Sequence, residues 1–261
     1  MSAAPTPSRT QGRVIRAALV ILPAGTIFFG IISFGIWWWK KQRVEERSYK
    51  FATAMRRDLN AAAVDRYTGI LREVLSQSED RRLPATASFL DSSMAAENMG
   101  YNVRRENFQA GAVEVANVDA ELTGKQRPRE VVLLLAPYGD PAKLEIECHA
   151  LAALMSLAHA LAGENRTVTL RFAGVPLGVK DQDGRTAIER LAAASRGREE
   201  RLMRVFVLGG PGDPELQEIR RALDAEAQGT VVQAVPPTTD TAATLQAATA
   251  LKTVLMSAIE K

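Results

Sequence analysis

The chain contains 261 residues, of which 46% are hydrophobic and 24% charged, and its formal net charge is +3. This composition is typical of a globular protein and excludes a disordered or collagen-like chain. The positive residues form no clustered Lys/Arg face with interleaved aromatic residues, so the sequence does not indicate nucleic-acid binding. The single cysteine, Cys148, excludes an internal disulfide bond and argues against a metal cluster held by thiolates.

The N-terminal region combines a basic tail with a long apolar segment. Residues 1–16 are rich in Ser, Pro, Thr and Arg and are predicted to be flexible. Residues 17–39 contain no charged residue and are long enough to cross a hydrocarbon core of roughly 30 Å as a helix. Trp37–Trp39 and the adjacent Lys40 and Lys41 are typical of a membrane interface. We predict one transmembrane helix at 17–39 rather than a cleaved signal peptide, because the apolar run is too long and no small-x-small cleavage site follows it.

The charges around this helix leave its orientation open. Arginines precede the helix, and the segment after it carries at least as many positive residues. The charges after the helix would keep the following domain in the cytoplasm, whereas the basic tail favours the opposite arrangement. We expect an extracytoplasmic or luminal domain, joined to the membrane by a juxtamembrane helical stalk at residues 40–63.

Residues 64–261 alternate between helical and strand-like patterns, which differ in the spacing of their apolar residues. Expected helices are Val64–Leu75, a segment that starts near Pro84, an Ala- and Leu-rich segment that ends at Gly163, Ala187–Ala194, Pro214–Ala227 and Thr241–Ile259. One expected strand begins at Tyr101, and the others are Ala112–Leu122, Val131–Ala136, Thr167–Ala173, Arg204–Leu208 and Thr230–Val235. Strands separated by helices of this length predict an α/β domain with a doubly wound, mainly parallel sheet and helices on both faces.

The stretch from Arg129 to Gly163 contains the candidate site. Val131–Ala136 is a continuous apolar run, as expected for a strand buried on both faces. The turn Pro137–Lys143 follows at the carboxyl end of this strand, where ligands and catalytic groups gather in open α/β sheets. We therefore expect the functional site at this turn and at the start of the next helix.

Three segments of the domain resemble the zinc-dependent aminopeptidase family of di-metal exopeptidases. Phe89–Val103, which ends M-G-Y-N-V, is similar to the family's helix and its l-G-y-x-v strand. Asn117–Gly124 is similar to the N-v-x-a-x-l-x-G strand, and Val131–Leu161 to the v-v-v-x-a-H-y-D strand with the Ala-rich helix that follows it. The resemblance covers residues 67–208 and implies the aminopeptidase fold.

The resemblance also implies which residues would carry the family's chemistry, and most of them are replaced. The family binds two zinc ions through histidines and carboxylates, and a glutamate serves as general base. The first histidine corresponds to Pro137, the Glu-Glu pair to Val175–Pro176, and the later aspartate to Gly209–Gly210. The bridging aspartate corresponds to a carboxylate near Glu145. The resemblance thus implies the fold without catalytic residues, without a bound metal and without a cofactor.

The histidines and the cysteine of the chain are weaker candidates for a metal site or for a catalytic nucleophile. His149 and His159 are ten residues apart on one predicted helix, so they do not form a chelating pair, and we expect His159 on the helix surface. Cys148 beside His149 would imitate a nucleophile and its base, but adjacent residues on a helix point about 100° apart and are poorly placed for proton transfer.

The candidate binding surface is the mouth of the former catalytic cleft. It consists of four residues, Tyr138, Asp140, Glu145 and His149, together with the loop Pro176–Asp183. The acidic residues of this region could bind a cation weakly, although a solvated loop is the simpler interpretation: Asp140, Glu145 and Glu147.

A membrane-anchored, metal-free domain of this fold also resembles the anchor-attachment subunit of the GPI transamidase complex. That family likewise has an N-terminal membrane helix, a soluble domain of this fold and a proline where the zinc histidine would be, as at Pro137. The further membrane spans of that subunit have no counterpart in this sequence, so the resemblance concerns architecture.

The sequence therefore predicts a membrane-anchored, catalytically inactive zinc-aminopeptidase-like domain that acts as a binding or scaffolding subunit of a membrane complex. The expected partners are the lipid bilayer and a protein of that complex, and no nucleic acid. The alternative is a divergent membrane-bound metallopeptidase that uses Asp140, Glu145 and His149 with an unrecognised base. A third class, a purely structural stalk protein, would show no ligand-sized concavity at the strand ends.

Overall fold

The computed structural model describes residues 29–37, 51, 53–164 and 166–260, with the backbone alone described for Glu79, Asp213 and Glu260. The chain divides into two compact units, Met1–Tyr49 and Lys50–Lys261. In the first unit, residues 29–37 form helix α1. The predicted basic tail, the remainder of the predicted transmembrane helix and residues 40–50 of the predicted stalk lie outside the described residues.

Helix α1 exposes apolar side chains on all sides. Its six large hydrophobic residues are between 41% and 71% exposed: Phe29, Ile31, Ile32, Phe34, Ile36 and Trp37. Successive residues of an α-helix are rotated by about 100°, so these six side chains cover the whole circumference. A helix that is hydrophobic all round is typical of a protein core or of a membrane span.

The second unit alternates helices with strands. Its helices are α2 (Ala61–Leu75), α3 (Glu79–Met94), α4 (Leu144–Leu161), α5 (Ala187–Gly197), α6 (Asp213–Ala222), α7 (Ala225–Gln228) and α8 (Thr241–Glu260). Its strands are β1 (Asn102–Ala110), β2 (Val113–Leu122), β3 (Arg127–Tyr138), β4 (Val168–Pro176), β5 (Arg201–Val207) and β6 (Val231–Ala234). A short 3₁₀ turn, Pro141–Lys143, precedes α4.

The strands form a mixed six-stranded sheet in the order β1-β2-β4-β3-β5-β6. β4, β3, β5 and β6 run parallel, whereas β1 is antiparallel to β2 and β2 is antiparallel to β4. The α/β class is confirmed, and the sheet is mixed: three of its five strand pairings are parallel and the two that involve β2 are antiparallel. β1 and β2 are joined through Gly111 and Ala112 alone, and so short a connection joins antiparallel strands, since a parallel pair needs a crossover of about a dozen residues or more.

Helices cover both faces of the sheet. On β4, Phe172 packs edge-on against Tyr101, whose hydroxyl donates to the carbonyl oxygen of Ala158 in α4. The preceding residue, Arg171, points to the opposite face and donates to Ser195 of α5. α2 and α8 contact α4, α3 contacts α2, and α6 contacts α5. α2, α3, α4 and α8 therefore share one face, and α5 and α6 share the other.

The central elements are apolar because they are covered on all sides. All nine residues of β4 are buried, and Val131–Ala136 of β3 is buried as the sequence predicts. Among the described residues, two helical segments are long and apolar enough to cross a membrane, Pro141–Leu161 and Thr241–Ile259. Both pack on the domain, because α4 contacts β3 and α2, and α8 contacts α4.

Three predicted helices differ from the structure. Pro84 lies inside α3 rather than at its first position, because α3 begins at Glu79. The segment expected at Pro214–Ala227 is divided into α6 and α7 at Asp224, which has a φ of 51°. Residues 56–60 of the predicted stalk are not helical. Instead, the Arg56 Nε atom donates to the Ala162 carbonyl oxygen at 3.0 Å, which ties this segment to the end of α4.

Candidate functional site

A cavity of about 310 Å³ opens at the carboxyl ends of the parallel strands. We call it the cleft. Its lining comes from the β3–α4 turn, from Leu177–Val179 after β4, from Gly209 and Pro211 after β5, and from α3. The cleft therefore lies at the turn that the sequence identifies as the candidate site, and it includes part of the predicted loop Pro176–Asp183.

One wall of the cleft is α3, which approaches the β3–α4 turn closely at Gly139. Gly139 has a φ of 111°, in the left-handed region that favours glycine. A Cβ atom at this position would overlap with the Leu83 side chain of α3. Glycine therefore suits both the conformation of the turn and the close approach of the Leu83 side chain.

Glu147 is a buried carboxylate at the base of the cleft. It is 3% exposed, and its two oxygens accept hydrogen bonds from the backbone amides of Gly139 at 2.7 Å and Asp140 at 3.0 Å. Burial raises the pKa of Glu147 to about 7, although the two amide hydrogen bonds favour the charged form. Glu147 thus holds the turn in place, and its pKa lies near neutral pH.

The other charged groups of the cleft connect the turn to its surroundings. The Asp140 carboxylate accepts a hydrogen bond from the Ala142 amide at 2.9 Å and caps the 3₁₀ turn. Lys143 forms an ion pair with Glu215 of α6. The hydrogen bond from Lys143 to Glu215 raises the pKa of the lysine. These contacts link the turn to the helix on the far side of the cleft.

The four residues predicted for the cleft mouth lie in different environments. Asp140 lines the cleft. Tyr138 is fully buried and donates its hydroxyl to the Ala116 carbonyl oxygen at 2.6 Å, and burial raises its pKa. The Glu145 side chain is 48% exposed and accepts two hydrogen bonds from Arg72 of α2, at 2.8 and 2.7 Å. It is not part of the cleft lining.

Both histidine rings are buried and hydrogen-bonded outside the cleft lining. His149 Nδ1 lies 2.9 Å from Thr244 Oγ1, and His159 Nδ1 lies 2.6 Å from the Tyr67 hydroxyl oxygen. Burial lowers the pKa of both rings, that of His159 to about 4. His159 was expected on the surface and is buried because α2 packs against α4. Burial also raises the pKa of Cys148 to about 12, which keeps the thiol protonated.

Solved structures with this architecture include a glutaminyl cyclase from Fimbriiglobus ruber, with a TM-score of 0.58 and 15% identity over 76% of this chain and 95% of that chain. A putative zinc-dependent exopeptidase from Bacteroides vulgatus has a TM-score of 0.49 and 10% identity over 78% and 97% of the two chains. A leucine aminopeptidase precursor from Bacteroides thetaiotaomicron has a TM-score of 0.45 and 8% identity over 73% and 82%. The chain has a zinc aminopeptidase-like fold. No family model and no curated protein matches the sequence, so the similarity concerns the fold alone.

The side chains of this zinc aminopeptidase-like domain do not fit a zinc pair. Zinc requires imidazole, thiolate or carboxylate groups that converge on a common point. Among the described residues, no group of three or more His, Cys, Asp and Glu side chains is placed to hold a metal ion. Pro137 and Val175–Pro176 stand at the ends of β3 and β4, and Gly209 follows β5. None of these side chains carries a donor atom, and Glu147 is engaged by two backbone amides.

An ion-pair network lies on the face of the sheet that α5 covers. The fully buried Arg171 donates to Glu121 at 3.0 Å and to both oxygens of Glu200, at 2.6 and 2.8 Å. Burial alone would raise the pKa of Glu200, but hydrogen bonds from Arg171 and Arg198 lower it to about 2. Charges that neutralise one another in this way have a structural role, since each group is held by a partner within the domain.

Proposed function

We propose that the protein is a membrane-anchored, catalytically inactive zinc-aminopeptidase-like domain that serves as a binding or scaffolding subunit of a membrane complex. The observation that carries the proposal is the composition of the cleft. The concavity has a volume of about 310 Å³, yet Pro137 and Val175–Pro176 supply no group able to bind zinc or to activate water. Apolar surface from Leu83 and Leu177, next to polar groups of the turn, suits the binding of a polypeptide segment.

Membrane anchoring is supported by the apolar segment at residues 17–39 and by the surface of α1. The described part of this segment presents large apolar side chains on all sides, as a helix surrounded by lipid does. The domain that follows would face the lumen or the outside of the cell. Its partners would be the lipid bilayer and a protein of the same membrane.

The anchor-attachment subunit of the GPI transamidase is the architectural parallel for this proposal. It combines a membrane helix with a domain of this fold and a proline in the position of Pro137. By this parallel, the domain would present a polypeptide to a partner enzyme or organise the complex around it. The position of the cleft supports this idea, because the cleft lies at the strand ends, where substrates bind in open α/β sheets.

Zinc content and peptidase activity test the loss of catalysis. The full chain, purified in detergent, is incubated with zinc, freed of excess metal and analysed for bound zinc and for hydrolysis of aminoacyl-nitroanilides, beside an active zinc aminopeptidase. We expect far less than one zinc ion per chain and no hydrolysis above background. Two tightly bound zinc ions with hydrolysis that Asp140→Asn abolishes would establish the alternative, a membrane-bound metallopeptidase.

A reporter fused after Lys261 tests separately on which side of the membrane the domain lies. A reporter that is active only outside the cytoplasm is expected to give a signal, and a second reporter that is active only in the cytoplasm is expected to remain silent. The reverse pattern would place the cleft in the cytoplasm and exclude a luminal or extracellular partner.

A further inference from the structure

Arg82 is a cleft residue whose guanidinium takes part in none of the contacts described above. It lies on α3 next to Leu83, and its partly buried side chain lines the cleft. Its Nε atom is buried and has no hydrogen-bond partner among the described residues. A guanidinium is a donor-only group that stays charged, so burial of an unpaired N–H is unfavourable unless an acceptor arrives.

The other charged groups of the cleft are engaged with partners inside the domain. Lys143 pairs with Glu215, both oxygens of Glu147 accept amides of the β3–α4 turn, and Asp140 caps the 3₁₀ turn. Arg82 is electrostatically coupled to Glu147, but the Glu147 oxygens already hold the turn. The guanidinium of Arg82 therefore offers a donor to a group that enters the cleft.

We propose that the cleft recognises a carboxylate, which the guanidinium of Arg82 binds. This inference rests on the proposed binding function and adds the chemical class of the group that is bound. A planar guanidinium matches a carboxylate with parallel N–H···O bonds, and the Nε–H group is one of the donors that form such a pair. The C-terminus of a polypeptide and an Asp or Glu side chain supply the same chemistry.

Isothermal titration of the full chain in detergent with three peptides tests the proposal. The peptides are acetyl-Ala-Ala-Ala with a free C-terminus, the same peptide with a C-terminal amide, and acetyl-Ala-Glu-Ala amide. We expect at least one carboxylate peptide to bind about tenfold more tightly than the neutral amide, as a charge-assisted pair does. The carboxylate peptide that binds more tightly identifies a C-terminus or a side chain as the source.

Variants on α3 separate Arg82 from nonspecific attraction. Arg82→Gln should abolish the preference for carboxylate, and Arg82→Lys should retain part of it. The control is Arg81→Gln on the same helix, since Arg81 is largely exposed and the preference should survive. Circular dichroism verifies that each variant is folded. Equal binding of all three peptides, or an unchanged preference in Arg82→Gln, would overturn carboxylate recognition alone, whereas no binding of any peptide would also overturn the proposed binding function.

Discussion

The Glu147 carboxylate lies 2.7 Å from the backbone nitrogen of Gly139 and 3.0 Å from that of Asp140. A side chain at the start of α4 thereby holds the turn that precedes the same helix. The two hydrogen bonds join both oxygens of one carboxylate to successive backbone amides, and this fixes the shape of the turn.

The raised pKa of Glu147 predicts that the domain becomes less stable as the pH rises through neutrality. The folded pKa of about 7 is above the ordinary value of 4.5. The folded state therefore holds a proton that the unfolded state loses, and this contribution is complete below pH 4.5 and is lost as the pH rises through 7. The difference between the two pKa values corresponds to about 3 kcal/mol.

Urea unfolding of the full chain in detergent measures this contribution at several pH values. Glu147→Gln should remove most of the decrease in the free energy of unfolding between about pH 5 and about pH 8. Glu145→Gln is the matched control on the same helix, because Glu145 is exposed and paired with Arg72, and it should change stability by less than about 1 kcal/mol at each pH. An unchanged pH dependence in Glu147→Gln would contradict the role given to this carboxylate.

The location of the cleft could be predicted from the sequence, but the identity of its buried carboxylate could not. Val131–Ala136 and the turn after it indicate the strand end correctly, because a strand buried on both faces is a continuous apolar run. The rotation of α4 is not encoded in the same way. Its residues from Glu147 to Leu161 are all buried, so the helix lacks the polar face that would show whether Glu145 or Glu147 points inward.

The antiparallel pairings of β2 could not be predicted, for a different reason. Alternation of strands and helices predicts parallel pairing. The pairings among β3, β4, β5 and β6 are parallel, as this pattern predicts. The hairpin of β1 and β2 depends on the short connection at Gly111–Ala112, a local signal that is weaker than the Asn-Gly or Asp-Gly pairs typical of tight hairpins. Strand pairing across a sheet is set by tertiary contacts, which helix and strand patterns alone do not specify.

Titration of the two histidines provides a direct test of the packing of α4. Burial lowers the pKa of His159 to about 4 and also lowers that of His149. The His159 ring should remain neutral near pH 6, His149 should titrate below the ordinary pKa of 6.5, and the stabilising effect of a neutral His159 should be lost as the pH falls from 6.5 through about 4. Nuclear magnetic resonance of the chain labelled at histidine should resolve two signals, since the sequence has two histidines. Two titrations near pH 6.5 would show that the rings are solvated.

Removal of the buried Arg171 should destabilise the domain strongly. Arg171→Met removes the buried partner of Glu121 and Glu200, which keep only the partly exposed Arg104 and Arg198. The loss of one partner of a buried ion pair typically costs about 3–5 kcal/mol. The control is Arg129→Gln, which removes an ion pair with Glu199 whose side chains are 71% and 72% exposed and should cost less than about 1 kcal/mol. Equal losses in the two variants, measured by urea unfolding, would contradict a structural role for the network.

Gly139 and Leu83 should be energetically coupled across the wall of the cleft. Gly139→Ala forces a Cβ atom into the left-handed region, where a non-glycine residue costs about 1–2 kcal/mol, and also into the Leu83 side chain. Gly178→Ala also places a non-glycine residue at a positive φ, of 79°, but no atom lies within 4 Å of the added Cβ. We therefore expect the loss of stability in Gly139→Ala to be at least about twice that in Gly178→Ala.

A double-mutant cycle tests whether the additional loss comes from the contact with Leu83. Leu83→Ala removes the atoms that the Cβ of Gly139→Ala would meet, so the double variant should be more stable than the two single losses predict, by about 0.5–3 kcal/mol. Leu83→Ala combined with Gly178→Ala should be additive, because nothing lies near the added Cβ at Gly178. Additive losses in both pairs would mean that the Leu83 side chain moves away from the added Cβ at no cost, so that the contact between them is not a source of instability.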